Sequence, residues 1–336
     1  MKAFVTGATG LLGNNLVREL LAAGHEVKGL ARSADKARAL LGDTSATVVH
    51  GDMQDVTAFA DALRGCDAVF HTAAYFREAF GRGEHESALE RINHEGTLAL
   101  LAAADAAGAS AFVHVSSGGT IGTKPDGSAG DEDTPPLPIQ TRNAYFRSKL
   151  RTDAALKSWR GTSGLRILEV LPGWIWGPYD AAPTAAGQLI DEFMGGRIPA
   201  VIDGGTMIVD ARDVAATMIA AAASAAAGSR FVVGGTFQTM AQILAGLEAA
   251  TGTKAPRMHI PHAVLLAYAA AAEAWGKWTN RDVLITRTAV RTMHARLALD
   301  SSRARHELGI TFRPVLSTYA DSCTWRRTWL ERRANA

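Results

Sequence analysis

The sequence predicts an α/β protein, a doubly wound parallel sheet with a smaller, mostly helical region beyond it. Three observations carry that expectation. An apolar run at residues 3–6 stops at three glycines spaced three apart, Gly7, Gly10 and Gly13, and a helical pattern follows at once through Leu11, Leu12, Leu16, Leu20 and Leu21. Apolar segments of strand length then alternate with segments of helical period, the pattern of parallel strands joined by right-handed helical crossovers. After Pro172 the alternation stops and long loops rich in Gly, Pro and Asp begin.

In chain order, strands are expected at 3–6, 26–31, 46–50, 67–72 and 111–116, and helices at 11–23, 34–41, 56–64 and 89–107. A helix at 143–159 and a strand at 165–171 complete the core, and 122–142, with Pro125, Gly127, Pro135, Pro136 and Pro138, reads as a surface loop. Later helices are expected at 185–195, 212–227, 240–251, 262–278 and 315–330, with only short strands such as 230–233. This divides the chain into a nucleotide-binding part, 1–172, to which some later segments return, and a mainly substrate-binding part, 173–336, placed over the carboxyl ends of the strands.

Composition narrows the function classes. A net charge of +2 over 336 residues, without a basic stripe, does not suggest nucleic acid. Two distant cysteines, Cys66 and Cys323, exclude a disulfide framework and form no metal-ligand pattern, so a reducing cytoplasm is the expected compartment. The Ala-rich runs 214–227 and 263–274 are too short to cross a bilayer, and both are expected to be buried helices.

The glycine turn is the first chemical signal. Gly7 supplies a positive φ, Gly10 admits a close phosphate and Gly13 lets the helix approach the strand. The backbone of Gly7, Thr9, Gly10, Leu11, Leu12 and Gly13 then forms a candidate pyrophosphate cradle at a helix N-terminus. The second strand ends in Arg32, where an acid would select NAD and an arginine accommodates a 2′-phosphate, so NADP(H) is favoured over NAD(H). Asp52 and Met53 follow the third strand as candidates for the adenine, and Ala73 and Ala74 follow the fourth, small enough for a cofactor to lie against the backbone.

The sharpest constellation is Ser117 at the end of the fifth strand with Tyr145 and Lys149 one helical turn apart. A phenol of ordinary pKa, about 10, is a poor base, and a nearby ammonium is expected to lower that value. Tyr145 would then exchange a proton with a substrate oxygen held by Ser117. His114, in mid-strand, reads as a core histidine. Phe76, Phe80, Trp174, Trp176, Tyr179 and Met207 are candidate walls of an apolar substrate pocket, while Arg197 and Arg212 are the cations available to a sugar nucleotide's diphosphate.

These motifs together resemble the extended (atypical) short-chain dehydrogenase/reductases of the NAD-dependent epimerase/dehydratase superfamily. The chain is most similar within them to dihydroflavonol-4-reductase-like proteins and to bacterial sugar-epimerase-like proteins encoded near hopanoid genes. The glycine turn resembles the family's cofactor turn, Asp52 its adenine-side acid and Asn93-His94-Glu95-Gly96-Thr97 its N-x-x-G-T helix. Ser117, Tyr145 and Lys149 resemble its triad, the segment from Pro172 to Pro178 its loop after strand six, and Asp210 to Ala215 its D-x-x-D-V-A segment. The resemblance implies a Rossmann-type fold, pro-S hydride transfer, a cofactor contact at Pro172, a lysine that also holds the nicotinamide ribose, and pairing of two copies through 89–107 and 143–159. Gly118 and Gly119 replace the acidic pair of the nucleotide-sugar dehydratases, which argues against that reaction.

The leading expectation is an NADP(H)-dependent reductase of an aldehyde or ketone. A nucleotide-sugar epimerase with retained NAD(P) is the alternative, and a cofactor-sensing binding protein is a third reading. No metal is expected, and the partner is a small carbonyl, alcohol or sugar.

Overall fold

A computed structural model describes residues 1–76, 85–159, 164–279, 287–294 and 297–334. The glycine turn opens the first crossover: β1 (Lys2–Thr6), α1 (Leu11–Ala22), β2 (Glu26–Ala31), α2 (Ala34–Leu41) and β3 (Thr47–His50). β4 (Ala68–His71), α3 (Glu86–Ala88), a π-helical stretch Leu89–Glu95, α4 (Gly96–Ala106) and β5 (Ala111–Val115) come next. α5 (Pro138–Thr141), α6 (Ala144–Ser158) and β6 (Arg166–Pro172) follow them. Seven parallel strands form the main sheet in the order β10-β6-β5-β4-β1-β2-β3, so the order reverses beside β1, where open α/β sheets bind ligands. One face of the sheet is packed by Leu12, Leu16, Leu20, Val214 and Met218, the other by Phe59, Leu63, Leu100, Leu101 and Leu156.

The later chain supplies β7 (Trp174–Trp176), α7 (Ala185–Met194), β8 (Val201–Ile202), β9 (Gly205–Asp210) and α8 (Ala211–Ser224). It continues with β10 (Arg230–Val233), β11 (Thr236–Thr239), α9 (Met240–Thr251), β12 (His259–Ile260) and α10 (His262–Thr279). α11 (Arg287–His294), α12 (Ser302–Leu308) and α13 (Val315–Ala334) complete it. β10 joins the edge of the main sheet, and β11, β9 and β7 form a second, three-stranded sheet.

Three expectations are corrected. Residues 56–64 are not an α-helix but two 3-10 turns, Val56–Ala58 and Ala60–Leu63. Asp55 caps the first, and Phe59 interrupts the pair to stack on Phe4 with ring centroids 5.9 Å apart. The expected helix 89–107 begins as the π-helical stretch. Of the two Ala-rich runs, α8 is buried as expected, whereas α10 turns an apolar face to solvent.

Candidate active site

A cleft of about 430 Å³ crosses the carboxyl ends of the strands. Its floor is the glycine turn. Gly7 sits at φ +68°, and a Cβ at Gly13 would lie 2.1 Å from the Gly7 carbonyl oxygen, so α1 closes on β1 only with glycine there. No side chain caps the N-terminus of α1 and no acid lies in its first turn, which leaves backbone N–H groups and the positive end of the helix dipole for an anion. These features fit a dinucleotide pyrophosphate. Arg32 and Lys36 line the same end of the cleft. Arg32 Nη1 lies 3.8 Å from Asp52 Oδ2 and its side chain is exposed, so it is open to a further anion.

At the other end, the Asn143 side chain accepts from the backbone N–H of Tyr145 at 2.9 Å and of Phe146 at 3.2 Å, starting α6 with the tyrosine in its first turn. The Tyr145 ring packs edge-on against Phe76, centroids 4.9 Å apart. Lys149 is buried, donates to the Val115 carbonyl at 2.7 Å, and lies 5.9 Å from the Tyr145 ring centroid. Burial brings its pKa down to about 8, with Asp153 and Glu169 pulling the other way. The expected lowering of the phenol is not found: burial, and then the Asp153 carboxylate, push Tyr145 above its ordinary value. Ser117 accepts from Gly119 N–H at 3.1 Å, keeping its own hydroxyl proton to donate. At Gly118 a Cβ would lie 2.9 Å from the Pro172 carbonyl oxygen, which favours glycine there, whereas at Gly119 it would meet only the Phe146 ring, at 2.2 Å, which would have to move.

Behind the lysine lies a group of ionisable residues that sequence reasoning missed. Asp153, one turn beyond Lys149, accepts from Ser116 Oγ at 2.7 Å and has Arg230 Nη2 at 3.5 Å. Arg230 stands directly opposite Glu169 in the β10–β6 register, with Nε 3.4 Å from Glu169 Oε2. Burial, and then the Asp153 charge, raise Glu169 to about 8. His114 is a buried core residue held neutral by desolvation. His71 is likewise neutral, brought down to about 3 by burial and bracketed by Thr6 Oγ1 at 2.8 Å and Thr97 Oγ1 at 2.9 Å.

The cleft gathers Gly7, Thr9, Gly10, Leu11, Leu12, Gly13, Arg32, Ala74, Phe76, Ser117, Tyr145, Lys149, Pro172, Trp174 and Met207. Five expected site residues lie outside its lining, and Phe80 lies outside the described residues. Met53 is core under α4, Ala73 packs against that same core, and Asp52 turns back to accept from Gln54 N–H at 2.9 Å. Trp176 is fully buried against Tyr319, while Tyr179, at φ +71°, places its ring 4.1 Å from the Arg18 guanidinium carbon. Arg197 is paired with Glu192, and Arg212 with Asp210 and Asp321, so neither lines the cleft. The lining also includes Ile175, Leu297 and Leu299. The leucines come from a segment far along the chain, anchored by Gly130 N–H donating to Ala298 O at 3.0 Å, and no local sequence signal marks them.

Asn93 has a definable task. Its side chain bonds both backbone groups of Tyr75, at 2.7 and 3.1 Å, fixing the segment that presents Phe76. Asp210 and Asp213 hold Thr318 and Arg313, tying α8 to the C-terminal segment.

Comparison with known proteins agrees with this geometry. The model of the NAD dependent epimerase/dehydratase family matches residues 3–234. Sterol demethylase protein B of Methylococcus capsulatus is 33% identical over 331 residues, covering 97% of this chain and 98% of that protein. A Synechocystis protein with the provisional name dihydroflavonol 4-reductase is 32% identical, covering 96% of this chain and 93% of that one. The crystal structure of gox2253 superposes with a TM-score of 0.83 at 28% identity, covering 97% of this chain and 98% of that one.

Proposed function

Because the chain belongs to the NAD dependent epimerase/dehydratase family, we propose that it is an NADP(H)-dependent reductase of an apolar aldehyde or ketone. One observation carries the choice within the family. The substrate half of the cleft is walled by Phe76, Trp174, Ile175, Met207, Leu297 and Leu299, while Arg197 and Arg212 are engaged by carboxylates elsewhere. A ketone or aldehyde on an apolar skeleton fits such walls, whereas a sugar diphosphate requires cations to offset its charge. Arg32 and Lys36 at the opposite end support NADP(H).

Bound NADPH supplies the hydride. The chain's own residues manage the oxygen and its proton. Ser117 donates to the carbonyl oxygen and orients it. Tyr145, kept protonated by burial, passes its phenolic proton to that oxygen as negative charge develops. The Lys149 ammonium, held by the Val115 carbonyl, stabilises the phenolate left behind. The apolar walls exclude water from the reacting atoms.

Tyr145→Phe removes only the hydroxyl and tests the assignment. Turnover with a panel of apolar ketones and aldehydes is expected to fall by about 10³-fold or more, within the range for a general acid, with NADPH affinity retained. Turnover unchanged in that variant would refute the role of Tyr145.

A further inference from the structure

α10 does not behave as a surface helix should. Its inner face, Leu265 and Ala269, packs on Val290 of α11. Its outer face carries Val264 at 57%, Tyr268 at 58%, Trp275 at 60% and Trp278 at 79% exposure, with only alanines between them. At 3.6 residues per turn these positions form one continuous arc of about 140° that holds no charged residue. An outer helix face is ordinarily polar, and an apolar one is a surface awaiting a cover.

Its chemistry indicates the cover. Tyrosine and tryptophan belong at the boundary between lipid headgroups and acyl chains, because each joins an apolar ring to a polar tip. The stretch 251–297 carries seven Lys and Arg against two Asp and Glu, although the whole chain is only +2. Arg257 and Arg291 are exposed and have no carboxylate partner within ion-pair distance among the described residues. Leu297, the last residue of this stretch, and Leu299 just beyond it enter the wall of the cleft. No helix of the described residues is long and apolar enough to cross a membrane, so the contact is one of lying on the surface.

We propose that the outer face of α10, with the basic residues of the same stretch, docks on an anionic phospholipid bilayer and sets the apolar end of the cleft beside the lipid. This reverses the expectation of a buried helix at 263–274, and it does not depend on the reaction assigned to the cleft. The test is co-sedimentation of the full chain with phosphatidylcholine vesicles and with phosphatidylcholine–phosphatidylglycerol vesicles, at low and high salt. Binding is expected to the phosphatidylglycerol vesicles, weakened by salt, and reduced at least about tenfold in Trp275→Ser/Trp278→Ser, with NADPH binding unchanged. Arg257→Glu/Arg291→Glu, which leaves the aromatic face intact, is expected to lose the salt-sensitive part. Failure of the wild type to bind phosphatidylglycerol vesicles, or equal binding by wild type and the Trp variant, would overturn the proposal. So would self-association that the Trp variant abolishes in a protein that ignores vesicles, since the face would then belong to a second copy.

Discussion

Tyr145 and Lys149 share a helix face, yet Lys149 gives its short hydrogen bond to the Val115 carbonyl and not to the phenol. The one-turn spacing was readable in the sequence. The consequence of burial was not, because desolvation depends on residues such as Phe76 that fold over the pair. A buried phenol above its ordinary pKa is a proton donor throughout the neutral range, which suits reduction. Lys149, with its pKa near 8, is charged below that value and loses the charge as pH rises through it. Reductive turnover is therefore expected to decline above about pH 8 in the wild type, and Lys149→Met should be slower by about 10²-fold and lack that limb in a pH–rate profile. At the other end of the cleft, Arg32→Ala should weaken NADPH binding by about tenfold or more and leave NADH unchanged, as measured by titration, because a charge-assisted contact to one phosphate is lost. Equal wild-type affinities for the two cofactors would overturn the NADP(H) assignment.

The glycine turn, its strand and its helix were legible because their requirements are local: a period of two, a turn needing positive φ, and a period of 3.6. The helix expected at 56–64 fails for the same reason, since Val56, Phe59 and Leu63 bury at spacings that helix and 3-10 turns share. The π-helical stretch bearing Asn93 was likewise invisible, its departure from α geometry leaving no mark on the pattern. Gly13→Ala, which would place Cβ 2.1 Å from the Gly7 carbonyl, should abolish NADPH binding in titration and lower the melting temperature. The β6–β10 edge carries its own prediction. Glu169 has a folded pKa raised to about 8, so the native state holds a proton that the unfolded chain releases near its ordinary value of 4.5. That contribution to stability is complete below about pH 4.5 and is lost as pH rises toward 8. Glu169→Gln should flatten the pH dependence of the melting temperature across this window and gain on the wild type at its upper end, on the order of 2 kcal/mol.

At the scale of the molecule, the cleft lies where the order of the main sheet reverses, and its apolar wall is assembled from Phe76, Trp174, Met207, Leu297 and Leu299. These residues are scattered over more than half the chain. The end of the cleft built on the glycine turn was therefore largely legible, its residues lying at strand ends, while the apolar end was legible only in its general aromatic character. Trp176 and Tyr179 show the limit: one fills the core beside Tyr319 and the other packs on Arg18 and Trp325, a choice set by tertiary packing alone. An apolar wall, a protonated phenol and a basic cofactor end all favour net reduction over a hydride lent and returned. The most direct test is turnover with NADPH carrying deuterium at the transferred position, presented with apolar ketones and aldehydes. Net reduction predicts that nicotinamide absorbance falls as product forms and that each alcohol gains one deuterium at the former carbonyl carbon. Turnover with no net absorbance change, on a sugar nucleotide alone and with the cofactor retained, would contradict it.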